Sequence, residues 1–195
     1  METMLFLFLK FMYYSFSGYL IEVIFAFIKD YKFINRGFLI GPYCSIYGVA
    51  GLVLSTFNPN MNVVALFLLS MFCCFIIEGS TGFILDKIFK MRWWDYSDVP
   101  LNIHGYVCLK FMLLFGLLSL IGVYLLNPIF SSKYNYFNDT IKVIVAILLA
   151  IIYVVDLIVS TILISKIKRV IEPNNRNNTT LIINTKKKML LDFLR

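Results

Sequence analysis

Five apolar stretches constrain this chain more than any other feature: residues 4–28, 38–57, 63–85, 107–126 and 141–164. Each is close to or above the roughly 20 residues that a helix needs to cross a bilayer. The gaps between them are too short to hold a soluble domain. In lipid the backbone must satisfy its own hydrogen bonds, so each run is expected to be a helix. Barrel strands would alternate polar and apolar residues, and these runs do not. Only 15% of residues are charged, against about 25% in soluble domains. The expected fold is therefore all-α: a polytopic integral membrane helix bundle of about five transmembrane helices. Residues 1–168 form the membrane domain and 169–195 a basic tail. The opening M-E-T has no basic leader and its apolar run is too long for a secretory signal, so it reads as a span.

The net charge of +7 does not point to nucleic acid, because the basic residues sit in the gaps between spans. Lys29, Lys32 and Arg36 fall in the first gap and Lys87, Lys90 and Arg92 in the third. The tail adds Lys166, Lys168, Arg169, Arg176, Lys186, Lys187, Lys188 and Arg195. The second gap has none and the fourth only Lys133 and Lys142. Fourteen cations against two place the first face in the cytoplasm by the positive-inside rule. The N-terminus is then outside, the C-terminus cytoplasmic, and the compartment the cell membrane. Residues 186–195 fit either a frayed tail or a short basic amphipathic helix on anionic lipid. Asn138-Asp139-Thr140 matches a glycosylation sequon, relevant only in a eukaryotic secretory pathway.

A shift of 56 residues lays the first span on the third. Ile21, Glu22, Phe27, Ile28, Asp30, Phe33 and Arg36 then match Ile77, Glu78, Phe83, Ile84, Asp86, Phe89 and Arg92. Apolar composition explains an Ile or Phe match; it does not readily explain Glu, Asp and Arg matching together. The pattern predicts two tandem helical hairpins, a parallel repeat, with the fifth span appended. Sites in such repeats lie at the repeat interface.

Glu22, Glu78 and Asp156 lie inside spans, where a carboxylate costs about 2.5–3.5 kcal/mol on the insertion scale. At about 1.5 Å per residue all three sit at similar depth, so they are candidates for one inward-facing acidic cavity for an ion, proton or cationic substrate. The competing reading is polar glue between helices. Lys10 and Lys110 lie near span ends, where both can snorkel to the interface; Lys110 is also placed to neutralise an acid. Cys44, Cys73, Cys74 and Cys108 form no C-x-x-C pair and, with the single His104, make only a weak case for zinc. No cofactor is expected.

Two junctions are dense in special residues. The first, residues 35–48, reads N-R-G-F-L-I-G-P-Y-C-S-I-Y-G and breaks a helix at Gly41-Pro42, with Tyr43 and Tyr47 suited to the interface. The second, residues 92–105, reads R-W-W-D-Y-S-D-V-P-L-N-I-H-G. Together they resemble the CmpB-type family of ABC-transporter permeases. Its pattern maps to Glu22, residues 35–48, Glu78 and residues 93–105; Ser45 stands where the family usually has Pro, and His104 is no hallmark. The resemblance runs over about residues 13–116, leaving the fifth span and tail outside. It implies a multi-pass transporter permease.

The candidate binding residues are Glu22, Asn35, Arg36, Gly41, Pro42, Tyr47, Glu78, Arg92, Trp93, Trp94, Asp95, Tyr96, Asn102 and Asp156. The chain has no G-x-x-x-x-G-K-[ST] loop, so ATP use implies a separate ATPase subunit, docked on residues 86–102. Five spans are few for a transport path, which favours a homodimer. Two alternatives stand beside the transporter subunit: a membrane scaffold or regulatory partner, and an interfacial lipid-modifying enzyme using Asp95, Asp98 and His104.

Overall fold

The computed structural model describes residues 2–31 and 37–170. Its elements run α1 (Glu2–Asp30), α2 (Ser45–Leu54), α3 (Val63–Phe89), β1 (Asn102–Ile103), β2 (Val107–Cys108), α4 (Leu109–Ile121), a π-helical turn (Gly122–Leu126), α5 (Asn127–Tyr136) and α6 (Asp139–Val170). It is a helical membrane bundle. Four helical stretches are long and apolar enough to cross a bilayer: α1, α3, the continuous run from Leu109 to Tyr136, and α6. Each has 27 or 28 residues in its apolar part, or about 40 Å, which exceeds the ~30 Å hydrocarbon core. Apolar side chains such as Ile144, Leu148, Ile151 and Val155 cover the outside of α6, as expected of a surface solvated by acyl chains.

The second apolar stretch departs from the expected single helix. Residues 37–44 are turned and irregular, and only Ser45–Leu54 is helical. Pro42 has no amide hydrogen to continue a helix, and the Tyr43 amide turns back to the Gly41 carbonyl at 2.9 Å. The Cys44 amide then bonds the Ser15 carbonyl of α1 at 2.9 Å, docking the start of α2 on mid-α1. The fourth stretch departs in the other direction. It does not end near Asn127-Pro128 but continues to Tyr136. The π turn absorbs the proline: the Asn127 amide reaches back five residues to Gly122 O, so the helix widens one turn before the ring.

Helix α1 packs on α2 and α3 on α4, giving the two expected hairpins, while α6 lies against α1 and α3. At one end of the bundle Phe38 of the first junction meets Phe89 and Trp93 at ring distances of 5.5 and 5.6 Å, over Met91 and Ile164. At the other end Leu54, Leu66 and Val123 form a second cluster. Because α1 and α3 both lead into the first end, they run the same way, as the 56-residue repeat requires.

Candidate functional site

Glu22 and Glu78 occupy equivalent positions on α1 and α3, and each takes a hydrogen bond from a tyrosine brought in by the following segment. Tyr47 Oη of α2 donates to Glu22 Oε1 at 2.6 Å. Tyr47 fits there because α1 has Gly18 beneath it; a Cβ at that position would overlap the tyrosine ring. Tyr96 Oη, from the connector between α3 and β1, donates to Glu78 Oε1 at 2.9 Å. Rings of α4 join the two pairs. Tyr96 stacks on Phe111 at 4.8 Å, Phe111 leans on Phe115, and Phe115 meets Tyr47 edge-on at 6.3 Å. Burial, then Glu78, and more weakly Cys108 and Glu22, push the Tyr96 phenol far above its ordinary range, so it stays protonated and donates. Glu78 is only 5% exposed, and its Oε2 has no hydrogen-bond partner. Neither glutamate pairs with a cation among the described residues, and Lys110 is exposed and outside any ion pair there.

The connector that delivers Tyr96 is stiffened by its own polar groups. Arg92 reaches Asp86 at 3.5 Å and Asp95 at 3.1 Å, and its guanidinium lies over the Tyr106 ring at 4.8 Å. Asp95 Oδ1 also accepts from the Ser97 amide at 3.0 Å and its hydroxyl at 2.5 Å. Burial works to raise the Asp95 pKa, but the Ser97 and Arg92 contacts outweigh it and hold the acid below the usual aspartate value. Trp94 Nε1 donates to the Tyr106 carbonyl at 2.8 Å. Asn102 donates to the Ser97 and Val99 carbonyls and accepts from the Gly105 amide. Gly105 is at φ +73°, and a Cβ there would press on Asp95, Ser97 and Arg92, so glycine is required twice over.

Asp156 sits in a different setting. Its carboxylate accepts from the Ile40 amide (3.0 Å), the Gly41 amide (2.7 Å), Tyr43 Oη (2.7 Å) and Ser160 Oγ (2.8 Å). Four donors satisfy the charge, and the acid in turn satisfies amides freed by the Gly41-Pro42 break.

A family model described as "Putative ABC-transporter type IV" (ABC_trans_CmpB) matches residues 9–161. The chain belongs to this family. No curated protein and no solved structure matches it. The CmpB match extends beyond the 13–116 region legible from the two junctions: it takes in most of α6, with Asp156.

Within the CmpB region, then, Glu22, Tyr47, Glu78 and Tyr96 come together; Gly41 is tied to Asp156, with Pro42 beside it; and Arg92, Trp94, Asp95 and Asn102 brace the connector. Trp93 bridges the junctions through Phe38. Asn35 and Arg36 lie outside the described residues, as does the tail from 171. His104 is exposed at φ 52°. Lys10 does not snorkel outward: it is 5% exposed, with its ammonium over Phe6 at 4.6 Å and Phe130 at 5.6 Å. Tyr43 and Asp86 are noted in the sequence but not placed among the binding residues, and Tyr106, Phe111, Phe115 and Ser160 are not singled out. The spacing Asp156–Ser160, one helical turn, was a usable signal for the last. The described residues contain no group of three metal-type ligands.

Proposed function

We propose that the chain is the membrane subunit of an ABC-type transporter, with a cation-attracting site made by Glu22 and Glu78. The observation that carries this reading is the linking of two repeat-related acids through one run of tyrosine and phenylalanine rings, without a basic partner among the described residues. Uncompensated charge near buried apolar surface is costly, and intramembrane acids with no cationic partner are functional-site candidates by default. Asp156 takes the structural role instead. By the positive-inside count, the end holding both glutamates and the connector faces the cytoplasm of a cell membrane. The N-terminus is then outside. Energy would come from a separate ATPase subunit seated on the connector, whose tip exposes Leu101 and Ile103; a homodimer would complete the path.

Affinity purification in mild detergent with mass spectrometry tests the assembly. Recovery of one ATPase, together with ATP-dependent flux in liposomes holding both subunits, is expected. Recovery of one fixed non-ATPase partner with no solute flux would favour the scaffold reading and reject this one. The enzyme reading finds little support in the connector, since Asp95 is engaged by Arg92 and Ser97 rather than free to act as a base.

A further inference from the structure

We infer that the Glu22–Glu78 site takes an organic ammonium ion, a protonated amine, rather than a bare inorganic cation. The inference rests on the transport reading above for its biological meaning, and on the following geometry for its chemistry.

The two acids are not an isolated acidic cluster. Glu22, Tyr47, Phe115, Phe111, Tyr96 and Glu78 form one continuous run of contacts: a hydrogen bond, an edge-on ring contact, a tilted ring pair, a stack and a second hydrogen bond. Five segments contribute: α1, α2, α3, α4 and the connector. The arrangement combines two acids with aromatic surface, the combination that recognises ammonium groups. An inorganic cation would ask for more oxygen ligands: hard cations take about six or more, and no group of three acidic, His or Cys ligands exists among the described residues.

One feature points independently to a missing partner. Glu78 Oε2 is buried in a residue that is 5% exposed and has nothing to bond. A carboxylate oxygen so placed costs free energy unless a donor arrives. Tyrosine hydroxyls already occupy one oxygen of each acid, so the open oxygen defines where an N–H donor would enter. Glu22, the second acid, is part-exposed. The charged and titratable groups facing this point are Glu22 from α1, Tyr47 from α2, Tyr96 from the connector, Cys108 before α4 and Cys74 one turn away on α3. None of them supplies a positive charge.

The test is binding to the purified full chain in detergent, read by thermal shift and calorimetry at constant ionic strength. The probes are n-butylamine, 1,4-diaminobutane, uncharged n-butanol, and sodium chloride. An amine is expected to raise the melting temperature and n-butanol to leave it unchanged. Glu78→Gln and Glu22→Gln should each weaken amine binding about tenfold or more, and Phe111→Leu, which keeps bulk but removes the ring face, several-fold. If Glu78→Gln does not fold, the Glu22 and Phe111 variants still decide. Absence of amine binding, binding untouched by these variants, or an equal shift with sodium chloride alone would overturn the inference. Flux is measured separately: amine binding without flux in the reconstituted assembly would reject the transport reading and leave the ammonium site standing.

Discussion

The two junctions, residues 37–44 and 90–108, do the same job by different means. Each follows a long helix carrying an intramembrane glutamate, and each helps direct a tyrosine back to that acid. The first borrows its support. Its freed amides at Ile40 and Gly41 are satisfied by Asp156, from a helix that belongs to neither hairpin. The second is held from within its own hairpin: Arg92, Asp95, Ser97, Asn102 and Trp94 brace its length, and Asp86 at the end of α3 anchors Arg92 and Tyr106. The returning limbs differ as well: α2 has 10 residues, whereas Leu109–Tyr136 has 28. A repeat that has diverged this way leaves the appended helix α6 with a structural task, and the acid in its apolar face is held there by four hydrogen-bond donors.

The comparison breaks most readily at Asp156. Replacing it with Ala leaves two amides and a tyrosine hydroxyl without their acceptor, and should cost about 3–5 kcal/mol. Thermal unfolding in detergent should show the largest loss of any single variant here, and Asp156→Asn, which keeps one acceptor oxygen, a smaller one. A mild effect of the Ala variant would mean that the first junction is also self-supporting.

Next in size is Gly18→Val. The new side chain must displace the Tyr47 ring, and overpacking of this kind costs about 1–3 kcal/mol. Tyr47→Phe keeps the packing and removes only the donor to Glu22. Measuring both by thermal unfolding separates the packing from the hydrogen bond.

The connector gives the third contrast. Asp95→Asn should loosen it by about 1–2 kcal/mol through the weakened Arg92 and Ser97 contacts. Both tryptophans of the chain, Trp93 and Trp94, lie there, so their fluorescence reports it. The sign of the pH effect follows from the direction of the shift. Asp95 titrates lower when folded than when unfolded, where aspartate lies near about 3.9. Its contribution is complete above that unfolded value and is lost as pH falls through the lower, folded one. Acid should therefore shift the fluorescence of the native protein more than that of Asp95→Asn, which is already loosened. The smallest effect belongs to Lys110→Ala. The residue is exposed, without an ion pair among the described residues, so stability should change by less than about 0.5 kcal/mol.

Much of this was legible in the sequence, for reasons that also mark the limits. Apolar run length gave the membrane bundle, because lipid imposes one rule on every backbone group. The repeat gave Glu22 and Glu78 as equivalents. What hydropathy does not register is backbone geometry: residues 38–57 read as one apolar run, yet 38–44 turn around Gly41-Pro42. Nor does it register that Asn127-Pro128, which reads as a helix end, is carried through by one π turn. Asp156 looked like a third member of the acidic set because depth along a helix is readable from sequence while facing direction is not. The aromatic run was hidden for the same reason. Phe111 and Phe115 are two among 19 phenylalanines, and only their placement on α4 distinguishes them.

The central claim is that the two hairpins bring Glu22 and Glu78 to one place. The most direct measurement is intramolecular cross-linking of a Glu22→Cys, Glu78→Cys variant, in a background where Cys44, Cys73, Cys74 and Cys108 are replaced by Ser, using a short bifunctional thiol reagent. Efficient joining of the two positions within one chain, detected by mass spectrometry, is the predicted result. Single-ended labelling of both thiols with no product joining them would contradict it.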